Sequence, residues 1–449
     1  MQNLYSIEVV SYNLLLEHCI VRSFMKIVDM KVTPIAITDP PLLNAAGLHA
    51  PYALRTIVEI IVDDGIYGLG EVPGSAKITE ALEKARSFII GKSPFDLNTI
   101  KAELLLQIGA DATRGQSPWD KRSFVHVISA IEVACFDLMG KATHQPVVNL
   151  LGGRARDKVE FSAYLFYKYE GAGGELEFAI DPKATGWAAA RQAEALTPEG
   201  IVVQAKAMCA AYGFKSIKLK GGVMPPDEEA EAMVALQKAF GPTTPLRLDP
   251  NAIWTVETAV RIGKGLEGVL EYYEDPVRGQ ENMAKVREAV NIPLATNMCT
   301  TSFEDLPGSV KHFSEHIILS DHHFWGGLRA SLELSAFCRT FKRGLSMHSN
   351  SHVGISLAAM THLAAATPNL TYACDTHYPW QSEDVVTEPF TFVDGALAVS
   401  DKPGLGIELN RDALALLHER YITCGLTERN DELAMQAKQP GWRFEATRW

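Results

Sequence analysis

From Lys158 onward the chain repeats one unit: a short apolar run closed by a polar residue, then a longer stretch of helical periodicity. Eight runs are read this way, at Val159–Leu165, Ile217–Lys220, Leu246–Asp249, Val269–Glu274, Pro293–Thr296, Ile317–Asp321, Leu345–His348 and Thr371–Asp375. Most lie about 25–30 residues apart, the spacing of successive βα units. No G-x-G-x-x-G follows the first run, which argues against a dinucleotide-binding sheet. The pattern predicts an α/β fold, a closed (β/α)7-8 barrel over residues 156–392, rather than an open doubly wound sheet. Residues 166–196 break the rhythm, carry Gly171, Gly173 and Gly174, and read as an inserted loop.

Residues 25–155 read as an α+β capping domain. Lys26–Ile37 alternates as a strand. Thr56–Val62 and Ile66–Val72 are two more, joined by Asp63-Asp64-Gly65, a hairpin signal. Three helical patterns follow, through Ile78, Leu82, Ala85 and Ile89, from Leu97 to Ile108, and through Val127, Ile131, Ala134 and Leu138. Residues 41–55 read as a long loop carrying His49, and loops of this length are often lids. Residues 393–449 are expected to return to the capping domain. Residues 1–24 read as an upstream extension, with Met25 as the natural start.

The net charge of −12, with no basic block, argues against nucleic acid or an anionic membrane as partner. It also means that an anionic substrate needs a local cationic site. The seven cysteines are scattered and never in C-x-x-C spacing, so neither a disulfide framework nor a zinc site is indicated. No apolar run of about 18 residues is found, and a cytoplasmic protein is expected.

The ends of the predicted strands carry the chemistry, as the C-terminal face of a barrel should. Lys218 and Lys220 share one face of the second strand. Their mutual repulsion is expected to lower the pKa of at least one, leaving an amine able to take a proton near neutral pH. Asp249, Glu274 and Asn297 end three consecutive strands, and three such oxygens suit Mg²⁺. Taken singly, each reads equally well as the N-cap of the next helix. Asp321 and His348 end neighbouring strands, where the carboxylate would orient the imidazole and raise its pKa. A substrate on the metal would then meet a base on each face.

The motifs KLKGG (218–222), LDPN (248–251), EDP (274–276), ATNM (295–298), DHHFWGG (321–327), HSNSH (348–352), DTHYPWQ (375–381), PGLG (403–406) and RNDELAMQ (429–436) together resemble the enolase superfamily, and within it the D-glucarate dehydratase group. The resemblance runs from about Met25 to the C-terminus. It implies a mandelate racemase-like capped barrel, Mg²⁺ as cofactor and a homo-oligomer. It implies Lys220 as a base beside Lys218, and His348, paired with Asp321, as the opposite base and the acid for a leaving hydroxyl. Asn350 and Ser349 would hold substrate. His49, Tyr164, Asn251, Asn297, His377 and Arg429 match substrate-contacting positions. Two departures stand out. The span from Glu274 to Asn297 is short, which leaves Glu281 as a competitor for the second metal ligand, and Pro118 stands where a polar contact is expected near Ser117.

The implied reaction is loss of water from an aldarate, D-glucarate or L-idarate, to 5-dehydro-4-deoxy-D-glucarate. Lys220 would remove the α-proton of D-glucarate, and the epimeric diacid would present its proton to His348. His49, His377 and Arg429 would favour a second carboxylate, which an aldonate lacks. One rival is a dehydratase or epimerase for another acid sugar, such as galactarate or an aldonate. The other is a non-catalytic diacid-binding relative, against which two opposed bases argue.

Overall fold

A computed structural model describes residues 25–111, 114, 120–174 and 179–449. The expectations for residues 1–24, Ser117 and Pro118 lie outside these. The chain begins with β1 (Ile27–Thr38), a small hairpin of β2 (Leu43–Asn44) and β3 (Gly47–Leu48), then β4 (Tyr52–Val62) and β5 (Tyr67–Pro73). β1, β4 and β5 form an antiparallel sheet in the order β1-β4-β5. The β4–β5 turn closes as its residues demand: Gly65 takes φ 83° and Asp64 accepts a bond from the Ile66 amide at 2.9 Å. The segment 41–55 is therefore not a plain loop. Its middle is the β2–β3 hairpin and its end is already strand β4.

Three helices follow, α1 (Ala76–Ile89), α2 (Leu97–Ile108) and α3 (Phe124–Thr143). Almost every residue of α3 up to Gly140 is buried, as an all-round apolar helix must be. It lies so close to β5 that a Cβ on Gly68 or Gly70 would stand 2.0 Å or 2.1 Å from the carbonyl oxygens of Ala134 and Ala130. Only glycine fits at those two positions.

The barrel strands are β6 (Lys158–Phe166), β7 (Ile217–Lys220), β8 (Leu246–Asp249), β9 (Tyr272–Glu274), β10 (Leu294–Thr296), β11 (Ile317–Ser320), β12 (Gly344–Met347) and β13 (Cys374–Asp375). They pair in parallel in sequence order, and β13 returns to β6. The ring closes between β13 and β12 through the Thr371 amide on the Leu345 carbonyl at 3.0 Å and the Ser346 hydroxyl on the Ala373 carbonyl at 2.8 Å. Register aligns Phe166 with Lys220 and Lys220 with Asp249, so the strand ends meet at one level. A ninth strand, β14 (Ala396–Ala398), pairs antiparallel with the start of β6. The helices Arg411–Cys424 and Asp431–Lys438 then pack on β1 and β3. The segment read as an inserted loop holds a helix, Gly186–Gln192, that its glycine-rich flank did not advertise. Among the described residues no helix is long and apolar enough to cross a membrane, and the six described cysteines are free.

Candidate active site

The two lysines of β7 point into the barrel mouth, where both are buried. Lys220 Nζ donates to Asp249 Oδ2 at 2.7 Å. Lys218 Nζ lies 2.6 Å from Glu274 Oε2, 2.7 Å from Asp375 Oδ2 and 3.7 Å from Asp249 Oδ2, with the Tyr164 ring 4.7 Å away. The lowering expected of at least one of the two lysines does not fall on Lys218. Burial alone would lower its pKa, but Asp375, Glu274 and Asp249 outweigh it and hold the amine well above its ordinary value. Repulsion between neighbouring lysines is the smaller effect where three carboxylates converge.

Asp249, Glu274 and Asn297 stand at the ends of β8, β9 and just after β10, all buried. None caps the following helix. Those helices begin later, behind Thr255, Gly279 and Ser302. Asp275 takes the local backbone work instead, accepting from the Asn297 and Met298 amides at 2.8 and 3.1 Å and from the Thr296 hydroxyl at 2.5 Å. The backbone at this level is strained: Asn251, Ala252 and Asp275 take positive φ, at about 1–3 kcal/mol each.

With Asp275 so engaged, Glu274 is left to face Asn297, whose Nδ2 donates to Glu274 Oε1 at 2.8 Å. Burial and the charge of Asp249 raise Glu274 well above the carboxylate range. Burial also pushes Asp249 up, but Lys220 and Lys218 draw it down to about 2. Two crowded carboxylates pushed apart in this way, with a buried amide beside them, are a hard-oxygen set of the kind a divalent cation relieves. Glu281 is no competitor. It lies on the outer helix Gln280–Ala289 with its side chain 78% exposed.

Across the mouth, His348 Nδ1 lies 3.1 Å from Asp321 Oδ2, and its ring stacks on Phe324 at 5.3 Å. Burial lowers the pKa of His348 and outweighs the opposing pull of Asp321, so the expected upward shift is reversed. With Nδ1 on the carboxylate, Nε2 is the nitrogen left for chemistry.

One pocket is lined by Lys220, His348, His49, Tyr164, Asn251, Asn297, Ser349, Asn350 and His377. Asn44, Arg114, Phe166 and Phe324, which sequence reasoning missed, complete it. Asp249, Glu274, Lys218 and Asp321 lie behind this lining. Arg429 does not reach it. Its guanidinium is bound to Asp431 at 2.6 and 2.9 Å, with Asp39 at 3.7 Å, and it lines the neighbouring cleft. Asp39 in turn accepts His49 Nδ1 at 2.9 Å, and Asp431 accepts Asn44 Nδ2 at 2.7 Å, so these carboxylates stand between Arg429 and the pocket residues His49 and Asn44. Besides Lys220, the lining carries Arg114, buried over the Phe324 ring and bonded to the Asn297 carbonyl. No local pattern marks it. Asp375 could have been found, since it ends the eighth strand as the other site residues end theirs.

A capped parallel barrel whose mouth gathers a lysine pair, hard oxygen ligands and an imidazole–carboxylate pair has the parts of an acid–base enzyme. Comparison with known proteins narrows this class. Residues 200–413 match the "Enolase C-terminal domain-like" family, and residues 31–152 match the "Mandelate racemase / muconate lactonizing enzyme, N-terminal domain" family. A "Probable glucarate dehydratase" of Streptomyces coelicolor is 47% identical over 434 residues, covering 93% of this chain and 97% of the relative. A crystal structure of a Mycobacterium smegmatis enolase complexed with tartrate superposes with a TM-score of 0.87 at 50% identity, covering 95% of this chain and 99% of that one. A Pseudomonas fluorescens enolase with bound magnesium, potassium and tartrate gives a TM-score of 0.88 at 46% identity, covering 95% and 99%. The chain belongs to the enolase superfamily, to its glucarate dehydratase group of hydro-lyases.

Proposed function

We propose that this protein dehydrates an aldarate, D-glucarate and its epimer L-idarate, to 5-dehydro-4-deoxy-D-glucarate. The observation that carries the reading is that Lys220 and His348, from β7 and from the end of β12, line one pocket. A pocket built only to bind has no use for two bases on separate walls. The named relative supports a glucarate substrate. The tartrate bound by two structural neighbours supports a short hydroxy-diacid.

The pocket residues divide the work. Arg114, His49 and His377 face the anionic substrate, with Asn350, Ser349, Asn251 and Tyr164 holding its hydroxyls. Lys220 or His348, depending on the epimer, accepts the α-proton as the C–H bond breaks. His348 then gives an Nε2 proton to the β-hydroxyl: the α-proton it has just taken or, where Lys220 took that proton, one that it already carries as an imidazolium facing Asp321. The β C–O bond breaks, water leaves, and the enol that remains becomes the keto group. Asp321 holds His348 in the tautomer that keeps Nε2 available. Asp249, Glu274 and Asn297 would hold Mg²⁺, and their hard oxygens suit it. When bound, Mg²⁺ supplies Lewis-acid stabilisation of the charge that the substrate carboxylate takes on as the α-proton leaves.

The test is keto-acid formation from a panel of aldarates and aldonates, with chelator controls and a parallel run in D₂O. Product from D-glucarate, lost with chelator and in His348→Asn, is expected. Product from galactarate or an aldonate alone would move the assignment to that sugar. No product from any acid by the metal-loaded protein would overturn the dehydratase reading.

A further inference from the structure

The capping sheet reaches into one arm of the site and not the other. Arg55, on β4, is 2% exposed, too deep to serve as a surface charge. Its Nε donates to Glu71 Oε1 on β5 at 2.7 Å, and its Nη1 to Asn350 Oδ1 at 2.9 Å. Its Nη2 points at Ser356 Oγ, 3.5 Å away, and at His323 Nε2, 3.4 Å away. Glu71 also accepts the backbone amides of Val353 and Ser356 at 2.9 and 2.7 Å, at the start of the helix Gly354–Ala366. A carboxylate there satisfies amides that no turn of the helix can reach.

The hydrogen bonds then have one consistent direction. A guanidinium can only donate. Arg55 Nη2 faces both Ser356 Oγ and His323 Nε2, so both accept on that side, and the Ser356 hydroxyl, 2.8 Å from His323 Nε2, gives its proton to that nitrogen. With Nε2 accepting, the proton of His323 sits on Nδ1, which donates to Asp321 Oδ1 at 2.8 Å. The backbone amide of His323 donates to the same oxygen at 2.9 Å. Asp321 Oδ1 is thereby occupied, and Oδ2 is left for His348 Nδ1. Lys220, by contrast, is held by Asp249 within the barrel.

We propose that Arg55, Glu71 and His323 are positioning residues for the His348 arm: the capping sheet fixes the tautomer of His323, through it the orientation of Asp321, and so the base at His348, while leaving the lysine base untouched. The inference rests on the two-base reading above and adds to it that the two bases are governed by different parts of the fold.

The experiment uses the full-length Mg²⁺-loaded protein and follows α-proton exchange in D₂O for two epimeric aldarates. The epimer whose exchange survives His348→Asn reports on Lys220, and the other reports on His348. His323→Asn keeps an N–H where Nδ1 donates to Asp321. His323→Gln places its amide nearer the Nε2 position and loses that donor. A misplaced base costs about 100-fold in rate. The expected result is that His323→Gln loses about that factor in the His348-dependent exchange, with the Lys220-dependent exchange retained, whereas His323→Asn recovers most of the loss. Ser356→Ala, which removes the hydroxyl between Arg55 and His323 and leaves the Arg55–Asn350 bond in place, should resemble His323→Gln in the same assay. A residue that served only the fold would lower both exchanges together and would not distinguish Asn from Gln. Equal loss in both exchanges, equal behaviour of the two His323 variants, or no loss in either overturns the inference alone. Absence of exchange by the unsubstituted protein with every aldarate overturns the proposed function and the inference with it.

Discussion

Replacing Asp321 by Asn tests the imidazole–carboxylate arm with one change of charge. His348 Nδ1 lies 3.1 Å from Asp321 Oδ2, with the two side chains 10% and 2% exposed. When His348 takes a proton, the new cation faces that carboxylate. A unit-charge pair at 3.1 Å is worth ~5 kcal/mol at an effective dielectric constant of about 20. The Asn amide returns none of this charge, and its NH₂ meets an N–H, which invites one imidazole into the wrong tautomer. Loss of ~5 kcal/mol corresponds to a turnover about 10³- to 10⁴-fold lower. The assay is Mg²⁺-dependent keto-acid formation from D-glucarate by Asp321→Asn, by His348→Asn and by the double variant. Because the two residues act as one unit, the double variant should be no worse than His348→Asn alone. Turnover of Asp321→Asn within about tenfold of the unsubstituted protein, or a double variant that multiplies the two single losses, would refute the reasoning.

Other outcomes follow from the same structure. Gly70→Ala forces a Cβ against the Ala130 carbonyl and should destabilise by about 1–3 kcal/mol, read as a lower urea midpoint at unchanged slope. His126 and His362 are held neutral by burial, each with a pKa lowered from 6.5 to about 4. The stability they carry is complete above pH 6.5 and is lost as pH falls through about 4, by about 3 kcal/mol each. His362→Gln should flatten the fall of the melting temperature in that window, and an unchanged slope would count against it. Glu281→Gln should leave Mg²⁺ affinity unchanged while Glu274→Gln weakens it, as measured by titration calorimetry. Arg114→Gln should raise KM for aldarates more than it lowers kcat, because the guanidinium meets substrate charge in the ground state as well as in the transition state.

Much of the site is legible in the sequence because a parallel barrel writes its active face at regular intervals. Each strand ends at the same face, so Lys220, Asp249, Glu274, Asn297, Asp321 and His348 can be picked out by position and chemistry alone. The spacing of the apolar runs also carries the fold, since few topologies accept eight short strands with helical crossovers. What stays hidden is everything set by contacts between distant segments. Arg55 meets Asn350 across 295 residues, and Arg114 meets Asn297 across 183. Lys218 meets Asp375 across 157. No local periodicity encodes such a partner. Arg429 looks like a substrate contact because its motif matches, yet Asp431, two residues away, takes its guanidinium. The proton affinity of His348 shifts opposite to expectation, and that of Lys218 is raised, for a related reason. Lys218 is set by three converging carboxylates and His348 by the depth of its burial. Residue types and their order along the chain determined which groups stand at the barrel mouth. Only the tertiary structure decided which charges each group faces and how far each is removed from water, because Coulomb and desolvation energies depend on distance and burial in space and not on separation along the chain.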